Sequence, residues 1–344
     1  MSKANKMSVF QLTILTAVNM MGSGIIMLPS KLAQVGALSI VSWLVTAVGS
    51  MALAYVFAKC GMYSKKGGGM SGYAEYSFGK AGNFLANYTM ESACANADAV
   101  DNPEKNVPKA VLGGTLLAAA CYIVSTNIIF GIVPADVLVS SSAPFGLVFS
   151  QMFGGTVGKI IMGLMVLSCF GSLLGWQFTI ANVFKAGSDE GYFPAFLKKV
   201  TSHGAPIAGM VAITIIQSLF SLMTISPSLN EQFETLVNLA VITNIMPYLL
   251  CMASVVVIMK AVDHVGSELK TTKLIAFIAS LYSLYACYAS GFEAMTYGAI
   301  VTVFGWTLYG FVSDRFDLKK AKADNEAMVS DKAPADAVPA AAEK

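Results

Sequence analysis

The sequence predicts an all-α integral membrane protein of about eight transmembrane helices, the first of them broken. Three observations predict it. The 344 residues are 56% hydrophobic and 12% charged, whereas a soluble domain carries about 25% charged residues. The apolar residues fall in blocks of roughly 20, the length a helix needs to cross a bilayer core. The basic residues are also unevenly placed. With the N-terminus in the cytoplasm and the sides alternating, 20 of the 22 lysines and arginines lie inside, all but Lys31 and Lys159. That asymmetry sets orientation, so both termini are expected on the cytoplasmic side.

Taken in order, the predicted spans are 9–29, 37–58, 109–132, 157–184, 206–225, 236–259, 273–290 and 294–312. The first is too long for a signal-peptide core and lacks a good cleavage site, so it is expected to be retained. Residues 1–312 form the transmembrane domain, and 313–344, rich in Asp, Lys, Ala and Pro, form a disordered cytoplasmic tail. Residues 81–100 do not fit as an independent span. They hold three asparagines with Glu91 and Asp98, and a mid-bilayer charge costs at least about 2.5–3.5 kcal/mol. Residues 81–100 are therefore expected to be a re-entrant or surface segment, or the remains of something larger.

Four motifs bear on chemistry. In the first span, Met20-Met21-Gly22-Ser23-Gly24-Ile25 places two glycines and a serine mid-helix. Such a break frees backbone N–H and C=O groups to grip a substrate; the alternative is a small-residue packing face. Glu91, beside Ser92, is a counter-charge for a cation at membrane depth, or else a solvated loop carboxylate. Trp176 offers a face to an ammonium group, or ordinary packing. Glu75 follows a glycine-rich run that lacks the Gly-Lys-Ser/Thr ending of a phosphate loop; it faces substrate at the cytoplasmic mouth or offsets Lys65 and Lys66. Tyr309 reads as an interfacial anchor, and Asp317 as a solvated charge in the tail.

The six cysteines are scattered without a CxxC pair or a Cys/His cluster, which argues against a disulfide framework and a metal site. No nucleophile–His–acid arrangement is present, so an enzyme is not expected, and no cofactor or nucleic-acid partner is implied.

Several long stretches resemble the amino acid–polyamine–organocation superfamily, in its basic amino acid/polyamine antiporter branch. They include NKMSVFQLTILTAVNMMGSGIIMLPSKLA, ESACANADAVDNPEKNVPKAVLGGT, GSLLGWQFTIANVFKAGSDEGYFP and GWTLYGFVSDRFDLKK. The resemblance covers nearly the whole chain. It implies a shortened inverted-repeat (LeuT-like) transporter bundle in a bacterial inner membrane, exchanging putrescine for ornithine. It also implies roles. Gly22, Ser23, Gly24 and Ile25 would present backbone groups to the substrate, with Glu91 and Ser92 beside them. Trp176 would gate, and Glu75, Cys60, Tyr309 and Asp317 would take part in polyamine recognition. Asp317 stands where the family usually has glutamate.

One departure is large. Family members of this kind have twelve spans. Here the third span begins at about 82–89 and is followed at once by Glu91, which resembles the unwound middle of the sixth. About 100 residues are expected to be missing at a junction near Met90, judged at about 20 per span plus loops. The alternatives to a working antiporter are a non-transporting remnant of one and a general amino acid permease.

Overall fold

The computed structural model describes residues 8–21, 24–67, 69–88, 102–141, 143–202, 204–223, 229–313, 315, 317–318 and 322. Among them there are helices and connections but no strand. The helices are α1 (Val9–Met21), α2 (Gly24–Val35), α3 (Ser39–Tyr63), α4 (Met70–Tyr88), α5 (Pro103–Ile132), α6 (Ala135–Val139), α7 (Pro144–Phe153), α8 (Gly155–Asp189), α9 (Ile207–Met223), α10 (Leu229–Ala261), α11 (Ser267–Ala289) and α12 (Gly291–Val312).

Six of these, α3, α5, α8, α10, α11 and α12, are long and apolar enough to span a bilayer. The pair α1 and α2, bent by 45°, makes a seventh. The remaining predicted span, 206–225, corresponds to α9, whose 17 described residues are apolar but short of a full crossing. Several helices outrun their apolar blocks. Helix α11 begins at Ser267 with Glu268 in its first turn, where a carboxylate suits the positive end of the helix dipole. Helix α5 starts with Pro103 in its first turn, the helical position where a missing N–H costs nothing.

Helix α5 is the centre of one half of the bundle, packing against both α1 and α3. Close contact with α1 depends on Gly114: a Cβ there would lie 2.7 Å from Thr16 Cβ and 3.0 Å from the Thr13 carbonyl. Lipid supplies no hydrophobic drive between helices, so small residues that let backbones approach take over that task. Helix α10 organises the other half, against α3, α4, α11 and α12. The main buried core lies where the halves meet at the lysine-rich end, around Val56, Cys60, Val107, Cys251, Val255 and Ile258. Helix α8 is the least covered: Leu164, Leu167, Phe170 and Leu174 along it are all exposed, as suits a lipid-facing surface.

Helix α4 is bent sharply. Glu75 and Asn83 would be roughly 12 Å apart along a straight helix, yet Asn83 Nδ2 donates to Glu75 Oε2 at 2.6 Å. The turn is made at Gly79, with φ 61° and ψ −155°, a region open almost only to glycine. A Cβ at Gly79 would touch nothing within 4 Å, so Gly79→Ala is a clean test of the backbone. It is expected to destabilise by about 1–3 kcal/mol, read as a lower thermal midpoint in detergent with no change in oligomeric state.

Candidate substrate site

The bend between α1 and α2 leaves the last carbonyls of α1 without helical partners. Tyr122 of α5 supplies one: its hydroxyl lies 2.8 Å from the Met21 carbonyl oxygen and 3.2 Å from that of Met20. One rotating O–H serves both acceptors. Two turns earlier on α5, Thr115 Oγ1 donates to the Val111 carbonyl at 2.8 Å and lies 3.6 Å from Met20 Sδ. The broken helix is thus braced by α5.

Two cavities adjoin this bend and share Met20, Ser50, Thr115 and Val237 in their walls. The first, about 520 Å³, lies toward α2 and includes Gly24, Lys31, Trp43 and Tyr122. The second, about 510 Å³, lies toward α1 and includes Asn19, Trp176, Asn244 and Tyr248. Their volumes suit a small organic molecule. Trp176 is half-buried on α8, and its flank is held by polar contacts at membrane depth. Neighbouring Gln177 donates to Gln217 Oε1 of α9 at 2.7 Å. Asn19 is buried and donates to Thr179 Oγ1 at 3.4 Å, while its own Oδ1 accepts nothing among the described residues. Asn19 is itself a wall residue of the second cavity, and a buried acceptor without a partner calls for an explanation.

Among the described residues, no aspartate or glutamate lines either cavity. The expected counter-charge Glu91, with Ser92, Gly22 and Ser23, lies outside the described residues. Ile25, at the start of α2, is half-buried.

The other predicted residues divide. Glu75, Tyr309 and Asp317 gather at the lysine-rich end, although 234 and 242 positions separate the last two from the first. Glu75 pairs with Lys66 at 2.8 Å and Lys80 at 3.4 Å. Lys80 in turn holds Glu190 at 2.8 Å, tying α4 to the end of α8. Tyr309 donates to Asp317 Oδ2 at 2.7 Å. Phe84 of α4 joins the two groups, its ring 5.2 Å from Tyr309, 5.4 Å from Tyr192 and 6.0 Å from Tyr88. The result is a carboxylate and aromatic cluster of the kind that suits an alkylammonium ion. Cys60 belongs to neither place. It is fully buried, its thiol 4.0 Å from the Cys251 carbonyl.

Burial alone would raise the Glu75 carboxyl. The hydrogen bonds from Lys66 and Asn83 and the charge of Lys80 outweigh it and bring it below the ordinary 4.5. Lys80 follows the mirrored logic: burial lowers it, and Glu190 and Glu75 more than reverse that. Burial, then the charges of Glu190 and Glu75, push Tyr192 up. For Glu75, a depressed value means that its ion pairs stabilise fully above pH 4.5 and are lost as pH falls through the lowered value. Wild-type protein is therefore expected to lose about 1 kcal/mol on acidification from pH 6 to pH 3 that Glu75→Gln does not lose. Thermal midpoints of the two proteins across that range measure the difference.

Residues not singled out from the sequence carry much of this geometry. Tyr122 offered one signal, a lone tyrosine deep in an apolar block. Lys80, Asn83, Phe84 and Glu190 offered none beyond their charge or polarity, because their meaning arises only when α4, α8 and α12 meet. Asn19 was visible as a polar residue three positions before the glycine pair. Helices α6 and α7 occupy 135–153, a stretch with no predicted span, and they pack on α2 and α8.

Residues 7–90 and 83–311 match the amino acid permease family in two segments that overlap at 83–90. The chain is 52% identical to the putrescine transporter PotE of Haemophilus influenzae, over 93% of this chain and 100% of the relative. It is 50% identical to PotE of Escherichia coli K12, over 92% of this chain and 98% of that relative. The cadaverine/lysine antiporter of E. coli K12 is 23% identical, over 72% and 82%. These relatives are named as transporters, not enzymes. The H. influenzae alignment runs over 433 positions against 344 residues, so at least 89 positions of it face no residue of this chain. The apolar helices make the chain a multi-pass membrane protein, and identity of one half along an entire relative, with a family match on both sides of residue 90, leaves one lineage for it: the chain belongs to the amino acid permease family.

Proposed function

We propose that this protein is a secondary transporter of short aliphatic diamines, putrescine first among them, exchanging them for a cationic amino acid such as ornithine across a bacterial inner membrane. The observation that carries the proposal is the braced break between α1 and α2, opening onto two adjoining cavities with Trp176 in the wall, in a chain half-identical to putrescine transporters. Backbone groups of Gly22, Ser23, Gly24 and Ile25 would take the polar ends of the cargo. Asn19 Oδ1 would accept from an ammonium group, and Trp176 would cover the methylenes. Glu91, with Ser92, would supply the charge that offsets desolvation of the cation. The Glu75–Tyr309–Asp317 cluster, with Phe84, would capture cargo at the cytoplasmic mouth. The lysine distribution supports both termini inside.

A second reading has an observation of its own. At least 89 aligned positions are missing, and the family match is split near residue 90. We infer an internal deletion there, with 81–108 as its junction, which favours a membrane remnant that no longer transports. Proteoliposomes decide between the two. An exchanger takes up labelled putrescine several times faster when preloaded with ornithine than when empty. Uptake equal to that of protein-free vesicles selects the remnant.

A further inference from the structure

Helix α8 carries Trp176 and is also the least covered helix of the bundle. In a bilayer an apolar face gives such a helix no preferred rotation, because lipid receives a leucine as readily as another helix does. Polar side chains and close backbone contacts must set the rotation instead. Successive residues of a helix point about 100° apart, so the direction of the Trp176 side chain lies between those of Gly175 and Gln177. Both neighbours are held. On one side, a Cβ at Gly175 would lie 3.5 Å from Asn19 Oδ1 of α1, and one turn further on Asn19 Nδ2 donates to Thr179 Oγ1 at 3.4 Å. On the other side, buried Gln177 donates from Nε2 to Gln217 Oε1 at 2.7 Å, and Thr214 Oγ1 stands 3.4 Å from Gln177 Oε1.

Gln217 belongs to α9, and among the described residues α9 gives no wall residue to either cavity. The helix comes close to α8 at Gly209, where a Cβ would lie 3.2 Å from Ala181 Cβ, and it leaves Val211, Ile215, Leu219 and Leu222 exposed. Its bearing on the site runs through the amide pair. A carboxamide buried without a partner is costly, so Gln177 follows Gln217, and Trp176 follows Gln177. Resting on the transport reading above, we propose that Gln217 is a positioning residue for cargo: through Gln177 it fixes the rotation of α8 against α1, and with it the place of the Trp176 indole over the methylenes. Affinity for an alkylammonium cargo is thereby tuned from a lipid-facing helix outside the cavity.

The test uses the full chain in lipid nanodiscs, labelled with 5-fluorotryptophan. Trp43, Trp176 and Trp306 then give three fluorine resonances, and Trp176→Phe identifies the one that matters. Gln217→Leu removes one amide. Gln177→Leu combined with Gln217→Leu removes both, so no buried amide is stranded and the fold is kept. Without cargo, the Trp176 resonance is expected to shift or broaden in both variants, while those of Trp43 and Trp306 stay. Putrescine Kd is expected to rise about fivefold in both. A lower thermal midpoint with the Trp176 resonance in place would mean a role in stability alone and overturns the proposal. A displaced resonance with unchanged putrescine Kd overturns it too. Wild-type protein that binds no putrescine overturns the transport reading and the cargo role with it, and the cargo-free resonance alone then still tells whether Gln217 holds the indole.

Discussion

Glu91→Gln is expected to reduce putrescine uptake into proteoliposomes at least a hundredfold while leaving the protein folded. The reason is electrostatic. Moving an ion out of water costs several kcal/mol even after the protein relaxes, and putrescine carries two charges. Asn19 Oδ1 and an aromatic face soften that cost but do not cancel it; a cation–π contact contributes roughly 0.5–2 kcal/mol. No carboxylate lines either cavity among the described residues, and the counter-charge proposed above is Glu91. Each 1.4 kcal/mol is a factor of ten, and loss of a single close charge pair is worth at least two such factors. Undiminished uptake by the variant would place the neutralising group elsewhere, with the Glu75 cluster next in line.

The second large effect is expected at Tyr122. Tyr122→Phe keeps the ring, and with it the packing on Trp43, and removes one hydroxyl. Two carbonyls at the end of α1 then lose their partner. A buried polar group left unpaired costs about 1–3 kcal/mol, more at a site with little water to step in. The variant should melt earlier in detergent by the corresponding amount. It should also lose affinity for either cargo, because the bend would no longer be held. A variant with wild-type melting and wild-type binding would mean that water or the glycine segment satisfies those carbonyls without the tyrosine.

How much of this was legible in the sequence follows from the kind of signal each element left. Spans were legible, since roughly 20 apolar residues in a row have few other uses, and all eight blocks correspond to helices. The broken first span was legible from its glycines. Helix α4 was not, because its polar ladder from Asn87 through Asn83 to Glu75 reads as a loop until Gly79 folds it back. The gathering of Glu75 with Tyr309 and Asp317 could not be seen in spacing. Family resemblance marked the three one by one, and only the packing of α4 against α10 and α12 puts them together. Cys60 carried the same mark, yet it sits in the core with its thiol on a backbone carbonyl.

The length of α8 has a consequence for the membrane around it. Between Lys159 and Lys185 the helix rises roughly 39 Å at about 1.5 Å per residue, against a hydrocarbon layer about 30 Å deep. Keeping all the apolar residues between them out of water asks for a slant of about 40° or for lipid that thickens locally to meet the helix. Trp176 lies nine residues from the Lys185 end, so any change in that slant moves the indole as on a lever. The acyl-chain length of the host lipid thereby acts on the pocket wall.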